Sequence, residues 1–182
     1  IRYILWNMVY VEGGTANLGD NNNYPVDVAS FFINRYEVSQ DEWYVIMGEN
    51  PSNQHRRNYP VDQVNWFNAQ RFTKKLSQLS GLPFRLPFEA EWEYAARGGV
   101  KTKNFIYAGS NNAEQVAWFR EKYYNTYVSK ETGTKKPNEL GLYDMSGNVY
   151  EWCMDWYDRK VPFTGNIAPV ISEKDTHKVL RG

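Results

Sequence analysis

The sequence lacks the side chains that most redox and zinc chemistry requires. Cys153 is the only cysteine among 182 residues, so the chain can form no internal disulfide and holds no thiol pair. The two histidines, His55 and His177, are too few for a typical catalytic zinc site, and neither lies in a metal-ligand spacing. These shortages exclude a disulfide framework and argue against zinc and dithiol enzymes.

The sequence also has no excess of charge and no long hydrophobic run. Its 21 basic residues balance its 21 acidic residues, so the overall charge suggests neither a nucleic-acid partner nor attraction to an anionic membrane. No apolar run reaches the length of a membrane-spanning helix. Residues 1–7 lack an initiator Met and the layout of a signal peptide. We therefore expect no transmembrane segment, and ends that are trimmed or processed.

Aromatic residues, by contrast, are abundant. They make up 16% of the chain, with 14 Tyr and 7 Trp, so many rings must remain partly exposed. Exposed Tyr and Trp favour recognition surfaces. The length fits one domain with a substantial core, and neither a repeat nor a linker interrupts the sequence. We expect a single domain over residues 1–182.

Hydrophobic periodicity predicts an ordered first half and a loop-rich second half. The predicted strands are 8–12 and 31–38, and the predicted helices follow Ser39, span 69–80 and span 89–97. Ser39 and Glu42 form a capping box, and Gly81 ends the second helix. Residues 20–25 are predicted to form a polar loop. Helical periodicity disappears after about residue 100, which favours long loops pinned by aromatic residues.

The segment 141–153 combines two carboxylates with flexible backbone, as a loop that binds a hard cation does. Asp144 and Glu151 can supply charged oxygens, and the backbone carbonyls around Gly147 and Val149 can supply neutral ones. Gly147 allows the tight bend that would aim these atoms at one point. Asp and Gly also form ordinary turns, and the neighbouring aromatic residues could simply pack, so the residues alone leave both interpretations open.

Several separated motifs occur in order and together resemble the formylglycine-generating enzyme, or sulfatase-modifying factor, domain family. They are VYVEGG (9–14), YEVSQ (36–40), MG with NPS (47–52), PV with VNW (60–66), RLPFEAEWEYAARGG (85–99), VAW (116–118) and GTKKPNELGLYDMSGNVYEWC (133–153). The resemblance implies an α+β, C-type-lectin-like single domain with little regular secondary structure and long loops. It also implies that the chain is truncated at its C-terminus.

The resemblance implies structural calcium as well. Family members bind Ca²⁺ through the segment that here contains Asp144, Gly147, Val149 and Glu151, and Glu37 is a further candidate ligand. A second family calcium site would follow the VAW motif. There, segment 120–124 offers no convincing cluster of oxygen ligands.

Catalysis in the resembled enzymes depends on a copper-binding cysteine pair that follows an Arg-Gly-Gly-Ser segment near the C-terminus. With oxygen, that pair converts a sulfatase cysteine into formylglycine, and soft thiolates are the ligands that copper(I) prefers. The present chain reaches only residues 179–182, the beginning of that segment. Cys153 is predicted to be a buried structural thiol. Copper is therefore expected only if a cysteine pair exists beyond this chain.

Two functions stay open. The first is a non-catalytic, calcium-stabilised binding or scaffold module that presents aromatic loops to a protein or glycan ligand. Its candidate surface residues are Tyr107, Trp118, Tyr123, Tyr124 and Tyr127, of which Trp118 could equally well pack in the core. The second is the body of a formylglycine-generating oxidase. The family relatives and the calcium site imply a bacterial, extracytoplasmic protein that is periplasmic, secreted or a surface lipoprotein.

Overall fold

The computed structural model describes residues 1–19, 24–119, 128–157 and 177–182, in which helices and strands are mixed. The helices are α1 (Arg2–Trp6), α2 (Gln40–Met47), α3 (Trp66–Ser80), α4 (Glu89–Ala96) and α5 (Ala113–Val116). The strands are β1 (Met8–Val11), β2 (Gly14–Leu18), β3 (Tyr24–Val28), β4 (Phe31–Asn34), β5 (Glu151–Trp156) and β6 (Lys178–Arg181). Over these ranges, no helix is both long and apolar enough to span a bilayer.

The strands of the described ranges pair as three antiparallel, two-stranded sheets. β1 pairs with β4, β2 with β3, and β5 with β6. Along β1, Val11 is buried and Tyr10 is exposed opposite Phe32, which is the alternation of a strand with one face on the core. In the third sheet Glu151 lies opposite Arg181, so this pairing joins segments far apart in the sequence.

Side-chain caps fix the ends of α2 and α3. The Glu42 N–H donates to Ser39 Oγ (3.2 Å), and the Ser39 N–H donates to the Glu42 carboxylate (2.8 Å), which confirms the predicted capping box. The side chain of Asn65 caps α3, so this helix begins three residues before its apolar repeat. Gly81, with φ of 74°, ends α3 as predicted.

Two hydrophobic clusters hold these elements together. The first joins α1, α2 and α3 through Ile4, Trp43, Ile46, Phe72 and Leu76. The second joins α4 to the three sheets through Val11, Leu18, Val26, Val28, Trp92, Tyr94, Ala95, Ala96, Leu142, Met145, Cys153 and Val179. The thiol of Cys153 is fully buried, as predicted, and burial raises its pKa well above the ordinary value.

Several elements differ from the predictions. β3 begins at Tyr24, inside the predicted polar loop, and it pairs with β2, whose small and polar residues have low strand propensity. The strand predicted over 31–38 ends at Asn34, because Arg35 and the residues after it bond to other segments. The apolar repeat of residues 69, 72, 76 and 79 predicts Leu79 on the core face of α3, but Leu79 is half exposed, since the shorter α2 does not cover all of α3.

Candidate functional site

The predicted metal loop is a tight bend whose backbone only a few residue types can adopt. Asp144, Gly147 and Asn148 have positive φ values of 56°, 94° and 65°, a region that residues other than glycine rarely occupy. A Cβ at Gly147 would overlap the carbonyl oxygen of Trp118. The Asn148 N–H donates to that same carbonyl at 2.8 Å. Glycine at 147 is therefore required for the close approach of the two segments.

One carboxylate oxygen of Asp144 is buried without a hydrogen-bond partner. Asp144 Oδ2 accepts a bond from the Gly133 N–H at 2.7 Å, whereas Oδ1 accepts none. Burial raises the pKa of Asp144, because it disfavours the charged carboxylate. An unpaired buried carboxylate oxygen is unfavourable, and a hard cation beside Oδ1 would remove that penalty. Asp144 therefore fits the predicted role of a calcium ligand.

Glu151, the second carboxylate of the predicted set, is the first residue of β5 rather than part of a loop. Burial, with the nearby charge of Asp144, raises the pKa of Glu151 to about 7. Within the described ranges, no group of three or more His, Cys, Asp and Glu side chains is arranged to hold a metal ion. Calcium at this position would therefore need backbone carbonyls in addition to the two carboxylates, as the prediction for Gly147 and Val149 supposes.

Glu37 lies beside this loop, but its oxygens are already engaged. Its buried carboxylate accepts one bond from the Val149 N–H (3.0 Å) and another from the Asn148 side-chain amide (2.6 Å). Burial and the charges of Glu151 and Asp144 raise the pKa of Glu37 well above its ordinary value. Its contacts make Glu37 a brace for the loop, while its role as a metal ligand stays a prediction.

The sequence reasoning missed Asn148, which ties three segments together. Its buried side-chain amide donates to Glu37 Oε2 and to the Lys130 carbonyl (3.2 Å), and its Oδ1 accepts a bond from the Lys130 N–H (2.8 Å). Asn tolerates positive φ, and a Gly-Asn pair is a turn signal. The Gly147-Asn148 pair was therefore a usable sign of this role.

An open, mostly apolar cleft of about 620 Å³ borders the same loop. Met145, Ser146 and Gly147 line it directly after Asp144 in the chain. Buried Trp92 also lines the cleft, together with the exposed rim residues Tyr107, Phe119, Tyr150 and Leu180. The volume lies within the range of small-ligand sites, and a mostly apolar lining is typical of them.

Of the five aromatic residues predicted to form a recognition surface, only Tyr107 and Trp118 fall within the described ranges. Tyr107 lies at the cleft rim. Trp118 is half-buried; its indole N–H donates to Thr134 Oγ1 (3.0 Å), and the Lys135 ammonium lies 3.9 Å from its ring centroid. Tyr123, Tyr124 and Tyr127 lie outside the described residues, as does the segment 120–124 of the doubtful second calcium site.

Comparison with known proteins identifies the family. The model of the "Sulfatase-modifying factor enzyme 1-like domain" matches residues 4–182. The chain belongs to this family. The match confirms the resemblance that the ordered motifs indicate, and with it the α+β, C-type-lectin-like fold of the formylglycine-generating-enzyme type.

Relatives within the family differ in what they are named for. Chaperone protein LppX of Paenibacillus barcinonensis is 35% identical, over 83% of this chain and 72% of that protein. The formylglycine-generating enzyme of Thermomonospora curvata is 32% identical, over 77% of this chain and 49% of that enzyme. Among solved structures, CarF superposes with a TM-score of 0.73 at 26% identity, over 86% of this chain and 83% of its own. The chain thus spans about half of the catalytic relative.

Proposed function

We propose that this domain is a non-catalytic binding module that takes a protein or glycan ligand in the cleft, with calcium stabilising one wall. The observation that carries this proposal is that three residues of the bend at 144–148 also line the cleft. These are Met145, Ser146 and Gly147, which directly follow Asp144, the residue whose Oδ1 has no hydrogen-bond partner. Whatever fixes the bend therefore also shapes the binding surface.

The composition of the cleft supports recognition rather than oxidation. Its rim is apolar and aromatic, and Tyr150 is 78% exposed, which suits contact with a macromolecular surface. Copper(I) chemistry needs accessible thiolates, whereas the single thiol of this chain, Cys153, is fully buried with its pKa raised well above the ordinary value. A relative named a chaperone is consistent with a protein ligand.

In this proposal, calcium is held by Asp144, by Glu151 and by the backbone carbonyls of Gly147 and Val149. Bound there, the ion supplies positive charge to two carboxylates that burial disfavours when they are ionised. Glu37 holds the loop because its carboxylate accepts a hydrogen bond from the Val149 N–H. A ligand set with only two carboxylates is expected to bind calcium weakly, as the sites of extracellular modules do, and we therefore propose an extracytoplasmic location.

The test is a screen of the immobilised domain, in calcium, against a peptide library and a glycan library. Tyr150→Ser and Leu180→Ser should each weaken the recovered ligands by about tenfold or more, because exposed anchors carry much of the binding energy. Tyr44→Ser on α2, whose exposure lies between those of Tyr150 and Leu180 and which is outside the cleft lining, is the control. Ligands that bind all three variants alike would place recognition elsewhere.

The 32% sequence identity to a formylglycine-generating enzyme supports a second candidate function. In it, the domain is the body of an oxidase whose cysteine pair lies beyond residue 182. The full-length protein would be incubated with copper(I), oxygen and a sulfatase peptide that contains cysteine. Conversion of the peptide thiol to an aldehyde would support the oxidase and contradict the non-catalytic module. Peptide recovered with its thiol intact would support the binding function.

A further inference from the structure

Helix α3 lies in a stretch of the chain with charge of one sign only. No Asp or Glu occurs between Asp62 and Glu89, although the whole chain has no net charge. Arg71, Lys74 and Lys75 all lie on α3, and all three are exposed. The exposed face of α3 is therefore cationic even though the whole chain is neutral. The composition alone, which suggests no attraction to an anionic membrane, does not show this.

The three cations lie on the face of α3 that points away from the core. Residues three and four apart share one side of a helix, so Arg71 and Lys74 align with exposed Phe67. Buried Phe72 packs on the opposite side, in the cluster shared with α2. Arg71, Lys74 and Lys75 together form a cationic stripe. Lys75 lies at its edge, since its ammonium is 3.5 Å from the carbonyl oxygen of Met47 on α2.

Exposed apolar side chains lie at both ends of this stripe. Phe67 is 70% exposed near the start of α3, and Leu79 is 52% exposed near its end. At about 1.5 Å per residue, they lie roughly 18 Å apart along the axis, with the cations between them. Leu82, just after the helix, is also exposed. Phe67 shares the face of the cations, whereas Leu79 comes three residues after buried Leu76 and lies at the edge between that face and the core-facing side. Lys and Arg attract anionic lipids, and exposed apolar side chains beside them can enter a membrane interface.

We propose that α3 docks this domain on an anionic lipid bilayer. Arg71, Lys74 and Lys75 contact headgroup phosphates, and Phe67 and Leu79 insert at the boundary between the lipid headgroups and the acyl chains. An acidic protein surface would match the cations but not the apolar residues at both ends, whereas a bilayer supplies phosphate and hydrocarbon together. This docking depends on neither calcium nor the cleft.

Vesicle sedimentation tests the proposal. The domain should sediment with vesicles that mix phosphatidylcholine and phosphatidylglycerol, should not sediment with phosphatidylcholine alone, and should dissociate at about 0.5 M salt. Each cation near an anionic surface contributes about fivefold in affinity. The triple change Arg71→Gln, Lys74→Gln and Lys75→Gln should therefore weaken binding by roughly a hundredfold.

A second triple variant controls for net charge. Lys101→Gln, Lys103→Gln and Lys136→Gln remove the same charge from exposed positions outside α3 and should leave binding within about threefold of wild type. Phe67→Ser keeps every charge and should weaken binding by about tenfold. Circular dichroism verifies that each variant is folded.

Three results would overturn the proposal. Equal sedimentation with neutral and anionic vesicles would remove the role of the cations. Equal losses in the two triple variants would show that net charge, not α3, sets the affinity. Capture by immobilised polyglutamate without any binding to vesicles would assign the stripe to an acidic protein partner instead.

Discussion

Replacing Glu151 with Gln should stabilise the calcium-free protein and abolish its response to calcium. Burial raises the pKa of Glu151 to about 7, so at pH 8 the calcium-free protein holds an ionised carboxylate in an unfavourable environment. Gln has nearly the same shape and no charge, so it removes that penalty. The same change removes one of the two charged ligands proposed for calcium, so the ion should bind far more weakly.

The pKa shift sets the size of the effect. A rise from the ordinary value of 4.5 to about 7 corresponds to about 3 kcal/mol at pH 8. Because the folded pKa exceeds the unfolded one, stabilisation from Glu151 is complete below pH 4.5 and is lost as the pH rises through about 7. Between pH 5 and pH 8 the loss is about 2.5 kcal/mol, so Glu151 alone should make calcium-free wild type melt about 5–10 °C higher at pH 5 than at pH 8 for a domain of this size.

The assay is thermal unfolding of metal-free protein from pH 5 to pH 8, with and without added calcium. Calcium at about a hundred times its Kd should add about 2.7 kcal/mol at pH 8, and less at pH 5, where protons compete for the carboxylates. Glu151→Gln should melt higher than wild type without calcium at pH 8 and should not respond to the ion.

Glu89→Gln is the matched control for this experiment. Burial also raises the pKa of Glu89 to about 7, but its carboxylate pairs with Arg181 at 2.6 Å and does not belong to the proposed ligand set. This variant should keep the full calcium response. Calcium-free wild type that melts higher at pH 8 than at pH 5, or Glu151→Gln that responds to calcium like wild type, would refute the reasoning.

Three further predictions concern single residues. Gly147→Ala should destabilise the fold by about 3 kcal/mol or more, because a Cβ would overlap a carbonyl oxygen, whereas Gly48→Ala, at a similar φ in open space, should cost only about 1–2 kcal/mol in the same denaturant titrations. Asn148→Ala should cost about 2–4 kcal/mol, since it leaves an oxygen of Glu37 without its donor; a loss below 1 kcal/mol would contradict the bracing role. Cys153 should be alkylated only as fast as the protein unfolds, so rapid labelling of the native state would contradict its burial.

Local signals made the helices predictable. The capping box of Ser39 and Glu42, the apolar repeat of α3 and its stop at Gly81 are each specified by residues within a few positions of one another. The bend was predictable for the same reason, since Asp144 and Gly147 are close in sequence. Helices α2, α3 and α4 therefore followed from the sequence, whereas the short helices α1 and α5 and the Asn65 cap were not predicted.

Long-range partners explain most of what was missed. β5 exists through its pairing with β6, which places Glu151 opposite Arg181 and has no local signature. Asn148 is important because it reaches Glu37, more than a hundred positions earlier in the chain. The cleft combines α4, the bend and β6, so no single segment shows its pattern. Where a residue's partners lie far away along the chain, its neighbours in sequence carry little information about its role.

The cleft is lined both by buried residues on which the stability of the fold depends and by exposed residues on which it depends little. Trp92 and Met145 are buried in the hydrophobic core, whereas Tyr150 and Phe119 extend into solvent. Substitutions at such exposed positions usually change stability by no more than about 0.5 kcal/mol. The rim could thus be randomised in a combinatorial library while the scaffold stays intact, which would make this domain a starting point for engineered affinity reagents.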